Sequence, residues 1–303
     1  MSLLQVIILA IVQGLAELLP VSSSAHVIVA EKLMGLDPSA PQMTLLLVML
    51  HTGTMFAVIA YFWKTWKESY FASKAMFRRF AVRVVWATLL TGLVGEGVKK
   101  LLEKTLLRGA PKAEIEQLFS HLELIAPALA TVGILILAAG VVEHRKRSSA
   151  SRPSSANTAD SSIAMSQAAW IGVVQGLALP FRGFSRSGST ISIGMLTGVA
   201  KEDAERFSFA LAVVLTPAVV GLEALRLWKA AHLATSTGTP IGTPINLHAS
   251  LLSSLLGMVF SFLAGLLALQ WLGRWLETGR WYLFGVYCLA ASVIVYALHA
   301  RGF

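Results

Sequence analysis

VQGLAELLPVSSSAH, residues 12–26, returns in altered form as VQGLALPFRGFSRSG at residues 174–188. Each copy runs an apolar segment with a Gln-Gly pair into a proline and then into a cluster of small hydroxyl residues. Proline and glycine interrupt helices, so each copy reads as a helix broken in its middle. The chemistry is divided between the copies: Glu17 and His26 lie in the first, Arg182 and Arg186 in the second. A repeated motif whose reactive groups are split in this way predicts that the two copies meet at one site.

The chain around these copies is apolar. Of 303 residues 55% are hydrophobic and 14% charged, and the mean hydropathy is +0.69. A soluble domain is roughly half apolar and about a quarter charged, so the composition marks an integral membrane protein. The net charge of +9 comes with no aromatic-basic surface module, which argues against a nucleic-acid partner. It reads instead as basic loops on the cytoplasmic side and attraction to anionic membrane lipids. Cys288 is the only cysteine, so there is no disulfide framework. The first ten residues lack a basic region, and Gln13 and Glu17 interrupt the apolar run that follows. The segment therefore reads as retained rather than as a cleaved signal.

Six stretches, near residues 42–63, 80–98, 121–142, 207–228, 247–272 and 281–299, approach the roughly 20 apolar residues that a hydrocarbon core requires. Two others, 3–35 and 163–199, are broken by Pro, Gly and Ser into pieces too short or too polar to span. Broken helices at membrane depth persist only where protein or a cavity surrounds them. Both are therefore expected as re-entrant hairpins, with two ordinary helix pairs as the alternative. The expected fold is an all-α polytopic membrane protein: a first repeat over 1–147, a flexible Ser-rich linker over 148–162, and a second repeat over 163–303. Three spans per repeat invert the second repeat relative to the first. Lys64, Lys67, Lys74, Arg78, Arg79, Arg145, Lys146, Arg147, Arg152, Arg274 and Arg280 then share one side, the cytoplasmic one by the positive-inside rule. The opposing basic loop at 99–112 is diluted by Glu103, Glu114 and Glu116. In this arrangement the first hairpin enters from outside and the second from the cytoplasm. The stretch 234–244 reads as a loop without chemistry.

Glu17 follows Gln13 by four residues, so both share a helical face. An ionisable group at membrane depth marks function by default, and a carboxylate beside an amide oxygen suits a hard divalent cation, Mg²⁺ or Ca²⁺, completed by water. Ser22, Ser23 and Ser24 open a second helix, where they cap it and where its N-terminus binds phosphate. Ser23 is a candidate nucleophile, and His26 beside it a candidate acid or base. In the second copy Arg186 offers a planar fork for phosphate oxygens. Ser185, Ser187 and Gly188 let backbone amides approach the same anion. Arg182 reads equally as a substrate contact or a rim residue, and His51 equally as a cavity residue or a packing histidine.

At this point the residues resemble a known family. QGLAELLPVSSSAH is similar to the E-G-x-x-E-x-x-P-V-S-S-[ST]-[GA]-H motif of undecaprenyl-diphosphate phosphatases, also called bacitracin-resistance proteins. GFSRSGSTIS is similar to that family's P-G-x-S-R-S-G-x-T, and FSFALAV at 207–213 to the segment that follows it. The resemblance extends over nearly the whole chain. It implies an inverted repeat with two re-entrant hairpins, in the inner membrane. It also implies hydrolysis of C55 isoprenyl diphosphate to the monophosphate carrier lipid of cell-wall synthesis, with a divalent cation, at a site open to the periplasm. Glu17 then matches the second motif glutamate, Ser23 and His26 the motif serine and histidine, and Arg186 the phosphate-binding arginine. A homodimer is compatible with the resemblance. Two positions depart from the pattern: Gln13 stands where the motif has its first glutamate, and PFRGF replaces P-G-x, adding Arg182. Two functions from different classes stay open, the diphosphatase and a polyprenyl-phosphate transporter or flippase that hydrolyses nothing.

Overall fold

The computed structural model describes residues 1–38, 40–106, 122–149, 163–236, 247–276 and 280–301. Among these residues lie ten helices and no strand: α1 (Leu3–Leu18), α2 (Ser23–Leu33), α3 (Pro41–Ser69), α4 (Lys74–Leu106), α5 (Leu122–Ser149), α6 (Met165–Ala178), α7 (Arg186–Leu196), α8 (Lys201–Ser236), α9 (Leu247–Leu276) and α10 (Tyr282–Ala300). The order of two short helices followed by three long ones occurs twice. Six helices carry segments long and apolar enough to cross a bilayer: Gln42–Ser69, Lys74–Thr105, Glu123–Lys146, Lys201–Leu222, Ser250–Gln270 and Tyr282–Ala300. The protein is an all-α, multi-pass membrane protein.

Each expected span has its helix, but the helices overrun the apolar segments. Lys64 and Lys67 sit in the last turns of α3, and Lys74, Arg78 and Arg79 in the first turns of α4. The expected loop between them shrinks to four residues, 70–73. Lysine and arginine are good helix formers whose long stems let the charge reach water, so nothing ends the helix at the hydrocarbon boundary. The expected loop at 99–112 is likewise helical as far as Leu106, with i,i+4 pairs Lys99–Glu103 at 3.9 Å and Lys100–Glu96 at 3.5 Å. Its remainder lies outside the described residues. Helix α8 starts at Lys201 rather than 207, with Glu202 and Asp203 in its first turn, where the helix dipole favours acidic side chains. The linker at 148–162 falls outside the described residues beyond the end of α5 at Ser149, and the loop at 234–244 beyond the end of α8 at Ser236.

Helix α1 begins in a capping box: the Ser2 hydroxyl accepts from the Gln5 N–H at 3.3 Å, and the Ser2 N–H donates to Gln5 Oε1 at 2.9 Å. It ends where Pro20 forces the preceding Leu19 into extended backbone. Helix α6 ends one residue before Leu179-Pro180, and a turn over 181–184 leads into α7. Each short pair is thus a helix–turn–helix hairpin.

Lipid tails are as apolar as leucine, so membrane helices associate through close packing of small residues. The glycines of the two Gln-Gly pairs supply it. A Cβ on Gly14 would sit 2.5 Å from the Ala264 Cβ of α9, and one on Gly176 would sit 2.7 Å from the Thr91 carbonyl of α4. The α4–α6 seam is also bonded, since the Thr91 hydroxyl donates to the Gly172 carbonyl at 2.9 Å. Helix α1 therefore packs on α9 and α6 on α4, while α5 pairs with α10.

That α5–α10 pair carries both hairpin tips. Ala25 and Ile28 of α2 pack with Ile125, Leu129 and Val295. Ile191 and Met195 of α7 pack with Val132, Ile136, Trp281 and Cys288, and Val21 joins the same cluster. Two broken helices from distant parts of the chain are thereby set side by side.

Candidate active site

The last turn of α1 presents Glu17, which is only 5% exposed. Its carboxylate is the centre of the site. Arg186, the first residue of α7, places Nη2 2.6 Å from Glu17 Oε1. On the other oxygen, the Gln13 side-chain amide donates at 2.9 Å, the Ser23 hydroxyl donates in a short bond, and His51 Nε2 of α3 lies 3.3 Å away. The His51 Nδ1–H donates to the Leu47 carbonyl at 2.8 Å. A proton on Nε2 would therefore make the ring an imidazolium and lie against Glu17.

Two helix N-termini open beside this carboxylate. At α7 the Ser185 hydroxyl caps the Gly188 N–H at 3.1 Å. At α2 the Ser22 side chain makes no cap bond, so the first N–H groups of α2 are left for another acceptor. Exposed N–H groups and the dipole make such an end an anion site. Ser22 has φ 65°, the sole left-handed non-glycine among the described residues. A strained conformation of this kind persists only where its surroundings hold it. His26 is part of the hold: its Nδ1–H donates to the Ser22 carbonyl at 2.8 Å. The neutral ring then accepts the Tyr287 hydroxyl of α10 on Nε2 at 2.7 Å, with the two rings stacked at 5.7 Å.

Glu17, Ser22, Ser23, Ser24, His51, Arg182, Ser185, Arg186 and Ser187 line one cavity of about 360 Å³. Its other walls are apolar but for Thr216 of α8: Leu47 and Val48 from α3, Leu179, Phe181 and Phe184 from the second hairpin, Ala212 and Leu215 from α8. Gln13 is fully buried behind Glu17. Gly188 stands at the contact between hairpins, where a Cβ would come 3.0 Å from the Pro20 carbonyl. His26 is not brought to the cavity. It sits four residues into the chain from Ser22, so its ring folds back on that carbonyl and faces α10. The histidine that reaches Glu17 is His51, which the sequence left even between cavity and packing. Glu31, which no sequence motif singles out, is also buried beside the site. Its signal was its place on α2, three and four residues after the buried Ile28 and Val27.

The donor set does not fit a cation held by protein alone. A hard divalent ion takes six or more oxygens, whereas this site offers one carboxylate with hydrogen-bond donors on both oxygens. The Gln13 amide turns its N–H₂ to Glu17, and its Oε1 has no hydrogen-bond partner. Among the described residues no group of three His, Cys, Asp or Glu could hold a metal. Gln13→Glu would set two buried carboxylates side by side, which repel unless a proton or cation lies between them. The variant is expected to gain a thermal stabilisation by millimolar Mg²⁺ or Ca²⁺ that the wild type lacks. Equal melting shifts in both proteins would contradict this account of Gln13.

Comparisons with known proteins show the family. The family described as bacitracin resistance protein BacA matches residues 6–294. Undecaprenyl-diphosphatase 2 of Acinetobacter baylyi is 54% identical over 298 residues, covering 98% of both chains. Undecaprenyl-diphosphatase of an Anaeromyxobacter species is 33% identical, covering 100% of this chain and 90% of its own. Undecaprenyl-diphosphatase 2 of Burkholderia orbicola is 33% identical, covering 97% and 95%. With a match that runs almost from end to end and a buried Glu–Ser–Arg cluster built from both of its motif copies, the chain belongs to the BacA family of bacitracin resistance proteins.

Proposed function

We propose that this protein is an undecaprenyl-diphosphatase of the bacterial inner membrane, conferring bacitracin resistance and returning the carrier lipid to cell-wall synthesis. The observation that carries the reading is the Glu17 carboxylate, held at 2.6 Å by Arg186 from the other hairpin while it accepts the hydroxyl of Ser23. The diphosphate enters between the N-termini of α2 and α7, with the isoprenyl chain along the apolar walls. Arg186 spends one of its five N–H donors on Glu17 and turns the others to the terminal phosphoryl group. An oxygen nucleophile, water or Ser23 Oγ, attacks the terminal phosphorus and gives its proton to Glu17. The new P–O bond forms as the bond to the bridging oxygen breaks, and that oxygen leaves with its electron pair as undecaprenyl phosphate. If Ser23 attacks, water then hydrolyses the phosphoserine. Positioned donors and charge account for most of the acceleration in such transfers.

His51 is placed to relay that proton, because its Nε2 faces the Glu17 oxygen that accepts from Ser23. His26 acts from outside the cavity, by holding the Ser22 carbonyl and hence the open end of α2. A divalent cation enters no step. If one accompanies the lipid, diphosphate oxygens and water must complete the shell that Glu17 and Gln13 cannot. The same proposal places the two halves as inverted repeats with re-entrant hairpins, and the site open to the periplasm. The recurring element order supports the first, and the basic ends of α3, α4 and α5 support the orientation. A homodimer, tested by cross-linking in membranes, belongs to it too.

Phosphate release from undecaprenyl or farnesyl diphosphate by the purified protein tests the reading. Wild type no faster than Arg186→Ala would sink it. Two broken helices meeting in one cavity also suit a transporter. Translocation of labelled polyprenyl phosphate across vesicles with no phosphate release would favour that second function.

A further inference from the structure

Glu31 is 1% exposed, and its Oε1 has no hydrogen-bond partner. A buried carboxylate is costly unless a cation balances it. It lies outside the cavity lining, so it cannot touch a substrate there. Burial is the largest influence and works against its charge; the charge of Arg182 favours it, and that of Asp37 opposes it. Arg182 does line the cavity, and its charge also reaches His51. The backbone also brings these parts together. Ile125 packs with Ala25 and Ile28 of α2, and it is also the residue that a Cβ on Gly183, next to Arg182, would meet at 2.7 Å.

We propose that Glu31 is a positioning residue that aims Arg182 into the cavity, making Arg182 a second guanidinium on the substrate and setting a preference for diphosphate over monophosphate. The proposal rests on the phosphatase reading above. Beside the direct Glu17–Arg186 contact at 2.6 Å it gives the site a second carboxylate–guanidinium relation, Glu31 with Arg182, acting through charge at longer range. In both, the first hairpin supplies the acid and the second the base. One guanidinium fork matches one phosphoryl group, and a diphosphate presents two. Glu31 acts at a distance from the anion: it cancels part of the cost of keeping Arg182 beside Arg186 while the cavity is empty.

The test is binding of inorganic diphosphate and of orthophosphate to the full-length protein in detergent, read by calorimetry without turnover. Wild type is expected to bind diphosphate roughly tenfold or more tightly than orthophosphate, the range of one charge-assisted hydrogen bond. Arg182→Ala should lose most of that preference and leave orthophosphate affinity little changed. Glu31→Gln should do the same in part, Glu31→Asp should restore it, and the double variant Glu31→Gln/Arg182→Ala should be no worse than Arg182→Ala. In turnover, Glu31→Gln should raise KM and leave kcat within about twofold. A preference unchanged in Glu31→Gln, or an effect that adds in full to that of Arg182→Ala, overturns the proposal. If Glu31→Gln does not fold, an unchanged preference in Arg182→Ala overturns it as well. A wild type that binds diphosphate selectively but releases no phosphate would count against the enzymatic reading and leave this one standing.

Discussion

Glu17→Gln is expected to lower phosphate release by about 10³-fold, the scale of losing a positioned general base, with little change in folded yield. Glutamine keeps the shape of the side chain and one acceptor oxygen, and the Arg186 side chain it leaves unpaired is 23% exposed at the cavity, so the fold loses less than it would with an unpaired charge sealed inside. The chemistry loses more. Glu17 is the sole carboxylate among the residues that line the cavity, and it is the group that accepts from Ser23, so the nucleophile's hydroxyl loses the base it touches. Gln13, one turn earlier, cannot substitute because an amide does not accept a proton at neutral pH. The measurement is single-turnover phosphate release from undecaprenyl diphosphate at saturating substrate. A rate within tenfold of wild type would remove Glu17 from the chemical step.

Arg186→Ala should lose both activity and stability. Removing a donor that holds developing charge costs about 10²–10³ in rate. Removing one member of a buried ion pair costs roughly 3 kcal/mol, because Glu17, at 5% exposed, is left with its charge inside the protein. The stability loss and the rate loss come from different causes, and the double variant Glu17→Gln/Arg186→Ala separates them. Deleting both charges should recover most of the melting temperature lost in Arg186→Ala and none of the activity. A double variant less stable than either single one would mean that the pair does not bridge the hairpins.

The broken helices were legible because proline, glycine and serine cannot together sustain an unbroken helix across a bilayer. The six spans were legible from hydropathy alone. Helix ends were not, since nothing in Lys74 or Lys201 distinguishes a charged loop from a helix that continues into water. The pairing of Glu17 with Arg186 could be expected from the split motif, whereas the histidines could not be ranked. His26 is closer to Ser23 in sequence, yet a ring four residues past a helix start can fold back on the backbone, and this one does. His51 lies in an ordinary-looking span, and only the packing of α3 against the hairpin brings it to Glu17. Glu31 was only faintly legible, through its helical spacing behind Val27 and Ile28, because a glutamate near a helix end is usually a solvated one.

The contact of Gly14 with Ala264 has a consequence for biosynthesis. Helix α1 is synthesised before its docking surface, α9, with seven helices between them among the described residues. The carboxylate half of the site therefore waits, without its seat, until nearly all of the chain has been inserted. A product stalled before α6 has Glu17 and Ser23 but neither the arginines nor the platform that align them. The complete site is then a late product of assembly, formed only once α9 has joined the first hairpin.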